Sequence, residues 1–225
     1  MLDFDGVDDK VDHGNVGNPA GLDEAAAVTI AMWIIPDTVA AGRAALVGKT
    51  TATVIAVLLE RNDDDIKIFH DTGGNTGVTT SNLLVVGTPI HVASVFNGAG
   101  TGNAGRQQIY LNGTNETLTF AGTIPAALGN GGGNPILIGS PSLITGSGFF
   151  DGKIGLVKIW TAVLTAAEIL EEMHSFRAMR TANLLISSPY DDLVAANDYS
   201  GGRRHGTVTG ALQRSALAVS YRGED

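Results

Sequence analysis

The densest group of ionisable side chains stands at the start of the chain, where LDFDGVDDKVDHGN (residues 2–15) sets Asp5, Asp8 and Asp9 around an Asp-Gly turn. Carboxylate oxygens are hard ligands, and several of them on a short loop suit calcium, which takes roughly six to eight oxygens from side chains, carbonyls and water. A second acidic run, Asp63, Asp64 and Asp65 in LLERNDDDIKI, offers the same ligand type. Neither has the spacing of an EF-hand loop. Asp-Gly is also favoured in turns on backbone grounds alone, so Asp5, Asp8 and Asp9 are candidate ligands of a structural calcium ion. Asp63 to Asp65 read more simply as a solvated hairpin tip.

Catalytic patterns are missing. Glycoside hydrolysis needs two carboxyl groups at a set separation, and the E-x-D-x-x-E arrangement that would set them on one strand face does not occur. No Ser lies in a G-x-S-x-G elbow, and there is no Cys to act as a thiol nucleophile. GRAALVGKT (42–50) imitates a phosphate-binding loop, but five residues separate Gly42 from Gly48 where the motif has four, and strand-like TTATVIAVLL follows in place of a helix. The five histidines, at 13, 70, 91, 174 and 205, lack zinc-ligand spacing, and His91 reads as structural. No catalytic residue is assigned, and the chain is expected not to be an enzyme.

A sugar site would pair an exposed aromatic ring with polar donors and acceptors. Trp33, Phe69, Phe96, Tyr110 and Trp160 lie in strand patterns where core packing is the default; Phe149, Phe150, Tyr190 and Tyr199 are the loop aromatics. The sequence does not locate a sugar site among them. Two sequons, at Asn112 and Asn115, matter only in a secretory pathway.

These residues must be positioned by short strands. The chain has 225 residues, 30 of them glycine, and 44% are hydrophobic, enough to bury one large core between many turns. With 23 acidic residues against 14 scattered Lys and Arg, the net charge of −9 gives no footprint for nucleic acid. Asp3 and Asp5 precede any apolar core of a signal peptide, and no apolar run reaches membrane-spanning length. Alternating or apolar runs at 27–36, 44–49, 53–60, 65–71, 88–98, 106–113, 116–122, 134–140 and 152–160, with the opening segment, predict an antiparallel sandwich. Asn112-Gly113 predicts a type I′ hairpin. The glycine-rich stretches 97–105 and 129–134 predict mobile tips. Thr165 and Glu168 form a capping box ahead of a helix expected over 165–180. The expected organisation is a sandwich over 1–164, the helix at 165–180 and a C-terminal segment at 181–225.

LDFDGVDDKVDHGN, AVTIAMWIIP, LVGK, IHVASVFNG, IYLNG, PILIGS and FDGKIGLVKIWTAVLTAAEI together resemble, in order, the strand signatures of laminin-G-like, concanavalin A-like jelly-roll domains over residues 2–170. The resemblance implies an all-β fold of two facing antiparallel sheets, an early sheet Trp (Trp33) and a closing strand followed by a helix. It implies calcium or glycan binding as known uses of the scaffold. YDDLVAANDYSGGRRHGTVTGA (190–211) is similar to a segment that in many members precedes the first strand, so its place here is rotated. It would either complete the chain's own sheet or pair with a neighbouring subunit. Similar placement in bacteriophage particle proteins implies a structural or decoration protein on a virion surface, partnered by other subunits. A calcium-assisted glycan-binding module, at an extracellular location, is the alternative, and a polysaccharide hydrolase or lyase the weaker one.

Overall fold

The computed structural model describes residues 1–15, 21–69, 75–80, 83–141, 148–190 and 196–213. In chain order the elements are β1 (Leu2–Asp5), β2 (Lys10–Asp12), β3 (Ala27–Pro36), β4 (Arg43–Thr50), β5 (Ile55–Asn62), β6 (Asp65–Phe69), β7 (Thr76–Thr79) and β8 (Ile90–Asn97). Then come α1 (Gly102–Arg106), β9 (Gln107–Leu111), β10 (Thr114–Asn115), β11 (Leu118–Ala121), β12 (Leu137–Ile138) and β13 (Asp151–Trp160). The chain closes with α2 (Ala166–Met173), β14 (Leu184–Ser188), β15 (Thr207–Thr209) and β16 (Leu212–Gln213).

Two antiparallel sheets face each other. The first runs β10-β9-β8-β3-β13-β1-β16 and the second β11-β7-β6-β5-β4-β12-β2-β15. Side chains alternate across a strand, so each sheet can give one face to the core: Ile30, Met32 and Ile34 of β3 join Val57 and Leu59 of β5 in the main buried cluster. The opening segment is two strands in different sheets, and its Asp-Gly turn carries the chain from one layer to the other. Asn112 (φ 49°) and Gly113 (φ 81°) take the two positive-φ positions expected of the β9–β10 hairpin.

The outer face of the first sheet is covered by α2. Thr165 Oγ1 accepts the Glu168 backbone N–H at 3.3 Å while Glu168 Oε2 accepts that of Thr165 at 2.7 Å, the expected capping box. The helix ends at Met173, seven residues short of the expected 180. A buried lysine stops it: Lys158 Nζ on β13 donates to Glu172 Oε2 and to the Ser175 carbonyl, each at 2.7 Å, and Glu172 Oε1 accepts the backbone N–H of Met179 and of Arg180. Folding residues 174–180 back over this ammonium satisfies a charge that costs several kcal/mol to bury alone.

Both glycine-rich stretches are tied down, contrary to the reading as mobile tips. Within 97–105 a short second helix, α1, forms; Arg106 donates to the carbonyls of Gly100 and Ile124, and the Asn103 amide bonds the backbone at Gly122 and Ile124. Over 129–134, the buried Lys49 donates to the carbonyls of Gly132 and Asn134 and pairs with Asp23 at 3.5 Å, while Asp23 accepts the Gly131 N–H. Composition does not reveal such clamps, because they join residues far apart in sequence: Asn103 and Arg106 to the backbone of 122–124, and Lys49 and Asp23 to that of 131–134.

The tail strands pair within the chain. β14 runs along the second half of β13 while β1 occupies the first half, β15 pairs with β2, and β16 with β1. Asp198 organises this crossing: its carboxylate accepts the backbone N–H of Ser187, Ser200 and Arg204 and the Ser200 hydroxyl. These bonds hold its carboxyl below the usual range despite the opposing effect of burial, which is the largest single influence. His13, directly after β2, bonds the Arg204 carbonyl and the Tyr190 hydroxyl, joining the two ends of the chain. His70 and Asp71, residues 191–195 and residues 214–225 of the expected segments lie outside the described residues.

Candidate functional site

At one rim, β1, β13 and β3 lie side by side, with Asp5 opposite Asp151 and Gly152 opposite Pro36 in register. This brings Asp3, Asp5, Asp37 and Asp151 to one end of the first sheet, and the β1–β2 turn adds Asp8 and Asp9. The six aspartates line an open cavity of about 400 Å³ whose remaining walls are Phe4 and Gly210. Gly210 belongs there because a side chain would not fit: with φ at +73°, a Cβ at that position would run into Asp9 Oδ1.

Within the cavity, ligand oxygens of Asp5, Asp8 and Asp9 all lie within 4.8 Å of one another, the arrangement that could hold a metal ion among the described residues. Oxygens bound about 2.4 Å from a common calcium ion can stand at most about 5 Å apart, so the three carboxylates could share one cation. Asp9 is buried and braced, its Oδ2 accepting the Asp5 N–H at 2.7 Å; Asp5 Oδ1 accepts the Val7 N–H at 2.9 Å. Burial raises the Asp9 carboxyl pKa, and the charges of Asp5 and Asp8 add to the rise, against the lowering effect of the Asp5 N–H. Burial and the charges of Asp37, Asp3 and Asp5 raise that of Asp151, with Arg61 opposing. Lys153 sits beside the group, 3.1 Å from Asp37 and 3.5 Å from Asp3.

The alternative ligands Asp63, Asp64 and Asp65 do not converge in this way. Asp63 accepts the Gly42 N–H, tying the β5–β6 turn to the segment ahead of β4, and Asp65 accepts the Thr79 hydroxyl, bridging β6 and β7. Asp3, Asp37 and Asp151 were missed by the sequence reading because only strand order brings them together. Asp37 just after the 27–36 run and Asp151 just before the 152–160 run were the available signals. Of the loop aromatics, Phe150 and Tyr190 are buried and Tyr199 is exposed. Trp33 faces outward, donating its indole N–H to the Met173 carbonyl and packing on His91 at 5.5 Å. His91 is structural in position, buried within β8; burial, with the charges of Lys158 and His174, takes its pKa to about 4.

Three carboxylates of the cavity crowd into 4.8 Å, and its only aromatic among the described residues, Phe4, is 1% exposed and presents no ring there for a sugar to stack on.

Two antiparallel sheets in this order, closed by strands from both chain ends, define a jelly-roll sandwich of the concanavalin A type. The chain belongs to the Concanavalin A-like lectin/glucanases superfamily, whose laminin G model matches residues 5–170. No curated protein matches it in sequence. Among solved structures it is similar to a candidate carbohydrate-binding protein of Bacteroides ovatus, at 18% identity and a TM-score of 0.67, over 94% of this chain and 58% of that one. It is also similar to domains LG4-5 of the mouse laminin alpha1 chain, at 13% identity and a TM-score of 0.50, over 70% of this chain and 40% of that one. The chain thus spans less than two thirds of either relative, and at these identities the likeness is one of fold. Among the described residues no helix is long and apolar enough to cross a membrane.

Proposed function

We propose that the chain is a non-catalytic carbohydrate-binding module whose rim carboxylates hold a structural calcium ion. Membership of a lectin-bearing superfamily and a fold shared with a candidate carbohydrate-binding protein support the glycan part. The convergence of Asp5, Asp8 and Asp9 carries the calcium part. Those three would ligate the ion, with Asp3, Asp37 and Asp151 adding negative potential; the bound ion would supply charge neutralisation that lets the two sheets meet at this rim. The test is a glycan array probed with the full chain in calcium and in chelator. Retention of at least one glycan class in calcium supports the reading, and no retention in either condition contradicts it.

A second reading, a subunit of a virus particle surface, draws on the exposed Leu170, Phe176 and Met179 on and after α2, and on Tyr199, against which Arg177 stacks. Exposed apolar groups of this size favour protein contacts. Stoichiometric copurification with a large particle supports that role and its virion location; a free monomer in the producing cells contradicts it.

A further inference from the structure

A second concavity lies at the edge of the sandwich where the first sheet ends at β9 and β10 and the second at β11. It is a groove of about 260 Å³ lined by Gln107, Gln108, Asn115, Glu116, Thr117 and Phe120. Gly77 of β7 makes room for it: a Cβ there would collide with Gln107 Oε1 and stand 3.1 Å from the Phe120 ring. The hairpin holds its polar groups in place, with the Glu116 N–H donating to the Ile109 carbonyl at 2.8 Å and the Tyr110 hydroxyl to Gln108 Oε1 at 3.2 Å. The Gln108 amide N–H groups and the side chains of Asn115, Glu116 and Thr117 have no hydrogen-bond partner among the described residues.

We propose that this groove is the sugar-binding subsite, and that it takes a neutral oligosaccharide; the inference rests on the carbohydrate-binding reading above. Adjacent sugar hydroxyls both donate and accept, and here amide N–H donors, amide and carboxylate acceptors and a hydroxyl stand within one cleft. The half-buried Phe120 ring beside Leu118 offers an apolar surface for the C–H face of a sugar ring. Among the described residues no Lys or Arg lines the groove. Glu116, with the net charge of −9, repels sulfated, uronic or sialylated sugars. One carboxylate cannot perform the two-carboxylate chemistry of glycoside hydrolysis, so this site binds without cleaving. Sugar and cation are thereby assigned to different residues.

The test is isothermal titration of the full chain, in calcium, with cello-, xylo-, manno- and arabino-oligosaccharides and with a heparin hexasaccharide. The variants are Gln108→Ala, which removes a donor, Asn115→Trp, which fills the groove from an exposed position, and Ala41→Trp as an exposed control lining neither cavity. Each is compared with wild type in thermal unfolding. The expected result is binding of a neutral oligosaccharide, weakened about tenfold by Gln108→Ala, abolished by Asn115→Trp and unchanged by Ala41→Trp. Unchanged neutral-sugar binding in Asn115→Trp overturns the groove assignment while leaving the carbohydrate-binding reading intact. Tighter binding of the heparin hexasaccharide than of any neutral sugar overturns the assignment of ligand class. Absence of all sugar binding in wild type overturns both the groove and the reading beneath it.

Discussion

Deleting everything after residue 183 should unfold the sandwich. β14 covers the second half of β13, and its Leu185 and Ile186 are 3% and 0% exposed; Tyr190, which follows, is 1% exposed. Burying a large apolar side chain contributes about 1.5–3 kcal/mol, so these three alone account for roughly 5–9 kcal/mol. The total stability of a typical protein is about 5–15 kcal/mol. The truncation also strips β2 of its β15 partner and β1 of β16, and leaves the His13 ring without Arg204 and Tyr190. A chain ending at 183 should therefore lack near-UV circular dichroism and a cooperative urea transition. If it instead keeps a native near-UV spectrum and unfolds cooperatively within about 2 kcal/mol of the full chain, the tail strands are an appendage and the energetic reasoning fails.

Glu172→Ala leaves Lys158 charged and without its carboxylate beneath α2, bonded to backbone carbonyls alone, and should cost about 3–5 kcal/mol in urea unfolding; a loss under about 1 kcal/mol contradicts the account of why the helix ends where it does. Calcium at about a hundredfold over its dissociation constant should add about 2.7 kcal/mol, or roughly 5–10 °C in Tm for a chain of this size. Asp9→Asn should remove that gain, and equal Tm in calcium and chelator for wild type refutes the cation site. His91 stays neutral when folded down to about pH 4, whereas an unfolded imidazole takes its proton near 6.5, so the unfolded state binds more protons in that window. The contribution of His91 to stability should fall by about 3 kcal/mol as pH drops from 7 to 4. His91→Gln should lose that part of the slope, and an unchanged slope in urea titrations across the window refutes it. The raised carboxyls of Asp9 and Asp151 act with the opposite sign and remain in the variant, so the difference between the two proteins isolates the histidine.

The layered fold was legible because its signals are local. The apolar run AVTIAMWIIP marks β3, whose Val28, Ile30, Met32 and Ile34 enter the main core, Asn-Gly sets the β9–β10 turn, and Thr165 with Glu168 starts α2. What escaped depends on side chains that meet across the fold. The end of α2 is set by Lys158 from β13, and the anchoring of 129–134 by Lys49 from β4 and by Asp23. The same holds for the sites. Asp5, Asp8 and Asp9 are neighbours in sequence and were readable as a group, whereas Asp37 and Asp151 join them only through the β3-β13-β1 order. The groove at Gln107 and Phe120 needed the edges of both sheets to be known.

The most direct test of the account is to incubate the full chain, in calcium, with insoluble neutral polysaccharides and to measure protein retained together with reducing ends released. Retention on at least one of them with no new reducing ends is the predicted result. Release of reducing ends, or no retention on any of them, contradicts the claim that this sandwich holds sugars without cutting them.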